Sequence, residues 1–313
     1  MRISINIVNT SNWVQLEDCL ASLEYELHPG AQYSVRVLDN ASEDGSADLV
    51  EARFGWVSQV RAKSRRGFAA NHNRLVEATD GEDWFLLLND DTIVPPGSVR
   101  AIADALSTLR SEVGVVGFRV HLSDGTIQRT AGRFPTFWVE LGRLWLGEQV
   151  MKRFLRKRWY GEWAMDNGRS VDWVSGVCLA IRSGTWRALG GLDPGYTVYY
   201  EDVDFCWRAR KNGFGVEFLP LGDVKHFHGG TLRAELASQD FRRFELNVNS
   251  AVRYFTKRSR WKGPLFRVFL TSLFGASVVL FRGLCLLTSG SVEDRARYGL
   301  AKMKAGLAAA RAG

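Results

Sequence analysis

Cysteine is scarce and scattered in this chain. Cys19, Cys178, Cys206 and Cys285 are the four in 313 residues, and no two are paired by spacing. That excludes a disulfide framework and a zinc site, and it fits a reducing compartment. The N-terminus lacks a charged segment followed by an apolar one; residues 1–10 read as a strand, so no signal peptide is expected. A glycine-rich phosphate loop is missing after that strand, where Asn9-Thr10-Ser11-Asn12-Trp13 is a polar turn. The longest apolar run near the C-terminus, residues 268–281, lies between Arg267 and Arg282. It falls short of the ~20 residues that span a bilayer, so a buried or interfacial helix hairpin is expected there.

What is present is ordinary globular material for one large domain or two small ones, with 46% hydrophobic and 12% aromatic residues. The net charge of +7 is unevenly spread. Lys152, Arg153, Arg156, Lys157 and Arg158 form one cluster, and Arg253, Lys257, Arg258, Arg260, Lys262 and Arg267 another. Basic clusters interleaved with Trp and Phe suit an anionic membrane or a nucleic acid; a solvated helix face is the plain alternative. Residues 141–159 could form a basic amphipathic helix, lying at an interface or packed on the domain.

Hydrophobic periodicity points to repeated βα units. Residues 3–8 alternate as a strand, 14–26 have helical spacing, 33–38 form a strand, and 47–54 a helix. Residues 57–61 and 84–88 supply further strands, with a helix at 67–79 between them. Short connections between such units imply a doubly wound, mostly parallel sheet. A helix follows at 98–109 with Ser98 as cap, then a strand at 113–120. Residues 171–182 read as a single strand, and residues 214–219 as another that Pro220 ends.

Polar residues collect where these strands stop. Trp84 to Leu88 is apolar without alternation, as in a strand buried on both faces, and it ends on Asn89-Asp90-Asp91. Carboxylates at the carboxyl end of a parallel strand face the crevice where open α/β sheets bind ligands, and oxygen ligands there suit a hard divalent cation. Asp39 ends the second strand, where it either forms the turn or holds a ribose or base. Gly176, inside a strand, marks close approach of a ligand or another backbone. Glu201, Asp202 and Asp204 open a helix, which suits its dipole, but three carboxylates exceed what a cap needs. His226 and His228 sit two apart in an extended segment, so both, or His226 alone, could reach one site.

Taken in order, Asp39-Asn40-Ala41-Ser42, Leu88-Asn89-Asp90-Asp91-Thr92, Asp172-Trp173-Val174-Ser175-Gly176, Gly190-Gly191-Leu192-Asp193 and Tyr200-Glu201-Asp202-Val203-Asp204-Phe205-Cys206-Trp207-Arg208 resemble the family 2 glycosyltransferases. The rhamnosyltransferase-like and galactofuranosyltransferase-like branch is the most similar. Each motif is weak alone; the ordered set, over roughly residues 3–230, is specific.

The resemblance implies a GT-A fold, with a mostly parallel mixed sheet over residues 1–235, a basic insertion at 141–160, and a helical region at 236–313. It implies inverting transfer of a sugar, rhamnose among the candidates, from a nucleotide diphosphate donor, in bacterial cell-surface polysaccharide synthesis. Asp202 would be the base that takes the acceptor proton. Asp91 and His226, with Asn89 as a weaker neighbour, would hold Mn²⁺ or Mg²⁺, the imidazole favouring Mn²⁺. Asn9, Asp39, Asn40, Arg66, Asn73 and Asp90 would lie along the donor nucleotide. Trp173, Gly176, Glu201, Asp204 and His228 would lie along the sugar or acceptor. The chain departs from the family pattern at Asn9 to Asn12, at Arg66 before Gly67-Phe68, and at Asn71-His72-Asn73, all on the donor side. The basic and apolar segments then read as a hold on the inner face of the cell membrane, near a saccharide or polyprenyl-linked acceptor, rather than on nucleic acid. The rival readings are a nucleotidyltransferase, which the missing glycine loop disfavours, and a polyanion-binding scaffold, which leaves the carboxylates unexplained.

Overall fold

The computed structural model describes residues 1–26, 33–79, 81–146, 167–227 and 240–287, with positions 303–304, 306–308 and 311 beyond them. The chain divides into two compact units. The first comprises Met1–Phe134, Trp163–Thr197 and Glu201–Ala234. The second comprises Pro135–Glu162, Val198–Tyr200 and Glu235–Gly313.

The first unit is built on one mixed sheet. Strands β1 (Ile3–Asn9), β2 (Tyr33–Asp39), β3 (Ser58–Arg61) and β4 (Trp84–Asn89) are parallel, in the spatial order β3-β2-β1-β4. Beyond β4 the order continues through β11 (Cys178–Arg182), β6 (Val113–Leu122), β12 (Gly215–His226) and β5 (Thr92–Ile93). β11 runs antiparallel to both neighbours, while β12 is parallel to β6. Helices α1 (Trp13–Glu24), α2 (Ser46–Arg53), α3 (Phe68–Glu77) and α4 (Ser98–Thr108) complete the N-terminal βα units.

β4 is apolar without alternation because both its faces are covered. Trp84, Leu86 and Leu88 enter a core with Ile3, Ile5 and Ile7 of β1 and Leu16 and Leu20 of α1. Phe85 and Leu87 enter a second core with Val115, Leu179 and Ile181. Burying a side chain of this size contributes roughly 1.5–3 kcal/mol, so β4 is pinned from two sides.

The structure differs from the sequence reading in three places. Residues 171–182 are not one strand: the two-residue strands β9 (Arg169–Ser170) and β10 (Trp173–Val174) precede a turn at 175–177, and only then does β11 begin. Small residues permit that turn, and Val174 of β10 packs where a Cβ on Gly117 would stand 2.5 Å from its own Cβ. Nor does Pro220 end its strand. β12 continues to His226, with residues 220–223 bulging opposite the single residue Arg119. A bulge is where a strand tolerates proline. Asp223 adopts φ 45° there, and Arg119 Nη2 donates to its Oδ2 at 2.9 Å. That guanidinium first, then His121, holds the Asp223 carboxyl down at about 2.

The third difference is at α4. Ser98 makes no capping bond; Gly97 is the N-cap, in the left-handed region. The orphan N–H groups instead find Glu26, at the end of α1: Gly97 donates to its Oε1 and Val99 to its Oε2. A buried carboxylate on a helix N-terminus is doubly favoured, by hydrogen bonds and by the dipole.

The second unit is helical among its described residues: α5 (Phe137–Leu146), α8 (Asp240–Arg258) and α9 (Lys262–Leu287). Helices α6 (Ser183–Leu189) and α7 (Glu201–Lys211) belong to the first unit. Phe137, Phe255 and Phe266 bring α5, α8 and α9 together, with ring centroids 4.9 to 5.7 Å apart. The basic cluster at 152–158 and the rest of the expected helix beyond Leu146 lie outside the described residues. α9 is longer than the apolar run suggested. By length and composition alone its Lys262–Arg282 part is sufficient to cross a membrane.

Replacing Glu26 by Ala removes both bonds and leaves two N–H groups without their acceptor. The expected loss is about 1–2 kcal/mol, measured by urea unfolding, with Glu26→Gln intermediate.

Candidate functional site

Sheet register aligns the polar strand ends. Asn9 of β1 is opposite Asp39 of β2, and Val8 is opposite Asn89 of β4. All three strands therefore stop at one edge. Two residues after Asn89, the chain turns into β5, which pairs antiparallel with the end of β12, Thr92 opposite His226. Phe227 N donates to Asp91 O at 2.9 Å and closes that junction.

The junction brings Asp91 and His226 together. Asp91 Oδ1 is 3.0 Å from His226 Nε2, with both side chains buried. Asn89 Nδ2 is 3.3 Å from the same nitrogen. On the other side of the ring, His226 Nδ1 is 2.7 Å from Gln128 Oε1. A carbonyl oxygen accepts, so Nδ1 bears a proton, and in the neutral ring Nε2 presents its lone pair to Asp91. A carboxylate oxygen and an imidazole lone pair at this separation repel unless a proton or a cation lies between them. About 3.0 Å is also the separation of adjacent ligands on an octahedral ion with bonds of ~2.1 Å. The donor set of Asp91 and His226 therefore fits a divalent cation; Asn89 presents its nitrogen here and would add an oxygen only with its amide turned over. Among the described residues no group of three His, Cys, Asp or Glu could enclose an ion, so an ion held by Asp91 and His226 would take further donors.

On the other side of β4 the turn at 175–177 connects the metal-type residues to the acidic helix. Asn89 N donates to Val177 O at 3.0 Å. One residue earlier, Gly176 N donates to Asp202 Oδ2, also at 3.0 Å. Val203 N donates to Asp202 Oδ1 at 2.7 Å. A Cβ at Gly176 would sit 3.2 Å from the Phe68 ring, so this backbone approach is tight. Tyr199 and Tyr200, just before α7, adopt φ of 67° and 69°, strained for residues with side chains.

Glu201 and Asp202 are adjacent carboxylates in unlike surroundings. Glu201 is buried, and its Oε2 has no hydrogen-bond partner among the described residues. Burial, and then the charge of Asp202, push its pKa up to about 8. Burial also raises Asp202, but the N–H groups of Gly176 and Val203 oppose the rise by favouring the carboxylate. The pair therefore holds one proton on Glu201 and leaves Asp202 charged.

The remaining expected site residues divide by what they touch. Asp39 is buried; its Oδ2 accepts Ser42 N at 3.2 Å, and its Oδ1 has no partner among the described residues. Asp90 is also buried at this edge. Arg66 is exposed, and Trp173 is half-buried, its indole donating to Arg133 O. The amides of Asn9, Asn40 and Asn73 are taken up in loop bonds. Asn9 holds Ser42, Ser46 and Asn12 N. Asn40 bonds both N and O of Arg66, and Asn73 bonds both N and O of Leu192. Asp204 is fully buried against Tyr196 and Arg208, and Arg208 in turn bonds Leu189 O and Gly191 O. His72, one of the departures from the family pattern, packs on Phe68 at a 54° tilt as a buried, neutral ring, its pKa pushed down to about 3 by burial. His228 lies outside the described residues.

Gln128 was invisible to sequence reasoning. It sits in a two-residue strand, β7 (Ile127–Gln128), with no motif around it; only the pairing of β7 on β6 carries it to His226.

Comparison with known proteins agrees with this architecture. The family profile described as "Glycosyltransferase like family 2" matches residues 2–244. N-acetylglucosaminyl-diphospho-decaprenol L-rhamnosyltransferase of Mycobacterium tuberculosis is 29% identical over 226 residues, covering 67% of this chain and 71% of that one. Rhamnosyltransferase WbbL of Escherichia coli is 26% identical over 88 residues, covering 28% of this chain and 32% of that one. Among solved structures, the mannosyltransferase PcManGT of Pyrobaculum calidifontis, in complex with GDP-Man and Mn²⁺, superposes with a TM-score of 0.59. That match has 14% identity, covers 99% of this chain and 86% of the other, and shows the GT-A fold. The strand-edge carboxylates, the turn at 175–177 and the match over residues 2–244 establish that this chain belongs to the family 2 glycosyltransferases.

Proposed function

We propose that the chain transfers a rhamnose-type sugar, with inversion, from a nucleoside diphosphate to a polyprenyl-linked saccharide, in cell-surface polysaccharide synthesis at the inner membrane face. The observation that carries this reading is the turn at 175–177, which bonds the base side of the site through Gly176 and the metal side through Val177. The relative from Mycobacterium tuberculosis, named for a rhamnosyl transfer to a diphospho-decaprenol acceptor, supports the choice of donor and acceptor class.

Each residue has a defined task in this reading. Inversion requires the acceptor hydroxyl to attack the anomeric carbon opposite the leaving diphosphate. Asp202, kept charged by two backbone N–H groups, takes the hydroxyl proton. Glu201, holding its own proton, adds no second charge that would compete for that proton or raise Asp202 further. Asp39 offers its unbonded Oδ1 to a donor N–H or hydroxyl of the nucleoside. Exposed Lys63 and Arg66 supply positive charge on the donor side. Asp91 and His226 would hold the divalent cation, with Asn89 beside them; when bound, it would offset the charge that develops on the departing diphosphate. Gln128 fixes the His226 ring so that Nε2 faces Asp91.

Three measurements test these assignments. Release of nucleoside diphosphate from dTDP-rhamnose, with UDP- and GDP-sugars alongside, should fall about 10²–10⁴-fold in kcat for Asp202→Asn with KM little changed; the melting temperature should fall modestly, because the amide can accept from only one of the Gly176 and Val203 N–H groups. Full activity in that variant would remove Asp202 as the base. Gln128→Ala should weaken Mn²⁺ binding about 10–100-fold, read as lost thermal protection by Mn²⁺ without substrates; equal protection would remove the ring-orienting role.

The third concerns the proton on Glu201. Its carboxyl titrates at 4.5 ordinarily and at about 8 when folded. Between those values the native chain keeps a proton that the unfolded chain has released, so stability falls as pH rises through the window. Glu201→Gln abolishes the linkage. Its stability relative to the parent should therefore rise by at least about 1.4 kcal/mol from about pH 5 to about pH 8. Parallel pH–stability curves would place the proton elsewhere.

A further inference from the structure

The second unit carries a surface that glycosyl transfer does not account for. α9 is apolar on two sides. Phe266, Leu270, Phe274 and Val278 are buried, and α8 covers them in antiparallel fashion, Phe255 against Phe266 and Phe244 against Phe274. The opposite side is bare. Trp261, Leu265, Val268, Phe269, Val279 and Leu280 are all exposed, Val268 at 62% and Val279 at 72%. Their spacing of three and four residues puts them on one stripe. Between them on the stripe stand only the small residues Ser272 and Ala276. From Trp261 to Leu280 the stripe runs about 30 Å at ~1.5 Å per residue. Trp138 of α5, itself 61% exposed, widens it by packing its ring on Phe269 at 5.5 Å.

Charge borders this stripe and does not interrupt it. Arg260 and Lys262 are exposed at one end, with the Arg260 guanidinium 4.9 Å over the Trp261 ring, and Arg282 is exposed at the other. The one charge between them, Arg267, bonds Asn249 of α8. An apolar strip of this length exceeds what a monomer ordinarily leaves in water. Cations and indoles at its margins match the headgroup level of an anionic bilayer.

The geometry points to α9 as an in-plane membrane helix: the stripe from Trp261 to Leu280 lies in the headgroup–acyl boundary of an anionic leaflet, while its other side stays packed on α8. Crossing the bilayer is incompatible with that packing. α8 lies along α9 and carries Arg243, Glu245, Arg253 and Lys257, which a spanning α9 would draw into hydrocarbon. This deepens the membrane-surface part of the proposed function and stands independently of the reaction assigned to the site.

The test uses the full chain with vesicles of phosphatidylglycerol and phosphatidylethanolamine, against phosphatidylcholine vesicles. The parent should float with the anionic vesicles. Val268→Asp combined with Val279→Asp should reduce that partitioning at least about tenfold, while circular dichroism and transfer to a water-soluble acceptor stay unchanged. Cysteines introduced at Lys262 and at Arg282 should both react with an impermeant thiol reagent added outside the vesicles. Undiminished flotation of the aspartate variant would overturn the inference, and so would protection of one introduced cysteine, which marks a span. A dimer in vesicle-free sedimentation that the aspartates dissociate, with flotation unaffected, would assign the stripe to a second copy and overturn it as well. Flotation as expected with no sugar transfer to any acceptor would instead sink the reaction and leave the helix where it is.

Discussion

The site depends on the burial of β4 from both faces. A strand held by one core can slide or tilt; a strand whose alternate side chains enter two different cores cannot, because any slip exposes one set. Trp84, Leu86 and Leu88 lock one side, and Phe85 and Leu87 the other. That fixes where Asn89 ends, and Asn89 fixes two things more. Its backbone N–H anchors the turn at Val177, and its side chain lies beside His226. The polar edge is thus positioned by hydrophobic burial one to five residues before the first polar group.

Two acidic residues in sequence acquire unlike chemistry because one is given hydrogen-bond donors and the other is not. Asp202 receives two N–H groups, whereas Glu201 leaves a buried oxygen without a partner among the described residues. Helix geometry makes the division possible. Adjacent positions at a helix start point about 100° apart, so a single turn can face one carboxylate to the Gly176 backbone and bury its neighbour. The same economy applies at Asp204, whose burial against Arg208 ties α7 to the loop at 189–191.

Much of this was legible in the sequence, for physical reasons that differ by element. β4 announced itself because burial on two faces produces an unbroken apolar run, and the βα units did so through their periods. The ordered motifs pointed to the fold and the family. What stayed hidden was nonlocal. Glu26 caps a helix that starts more than seventy residues later, and Gln128 reaches His226 across two strand pairings. No window of sequence holds both partners of such a contact. The asparagines carry a structural role that no motif announces. Asn9, Asn40 and Asn73 sit where motifs place donor contacts, yet the fold uses their amides as crosslinks between loops. Residue type and position do not reveal how many of an amide's bonds are already made.

The bulge in β12 has a consequence for how the chain tolerates change in length. Four residues, 220–223, stand opposite one residue of β6, and His226 follows them by only three positions. Side chains alternate along a strand, so the number of residues in the bulge sets the phase of everything after it. If the bulge keeps its four residues, one residue more or fewer in the segment slides the rest of the strand, and Lys225 or Phe227 takes the position facing Asp91. The bulge thereby acts as a counting device, because its length sets which residue meets Asp91.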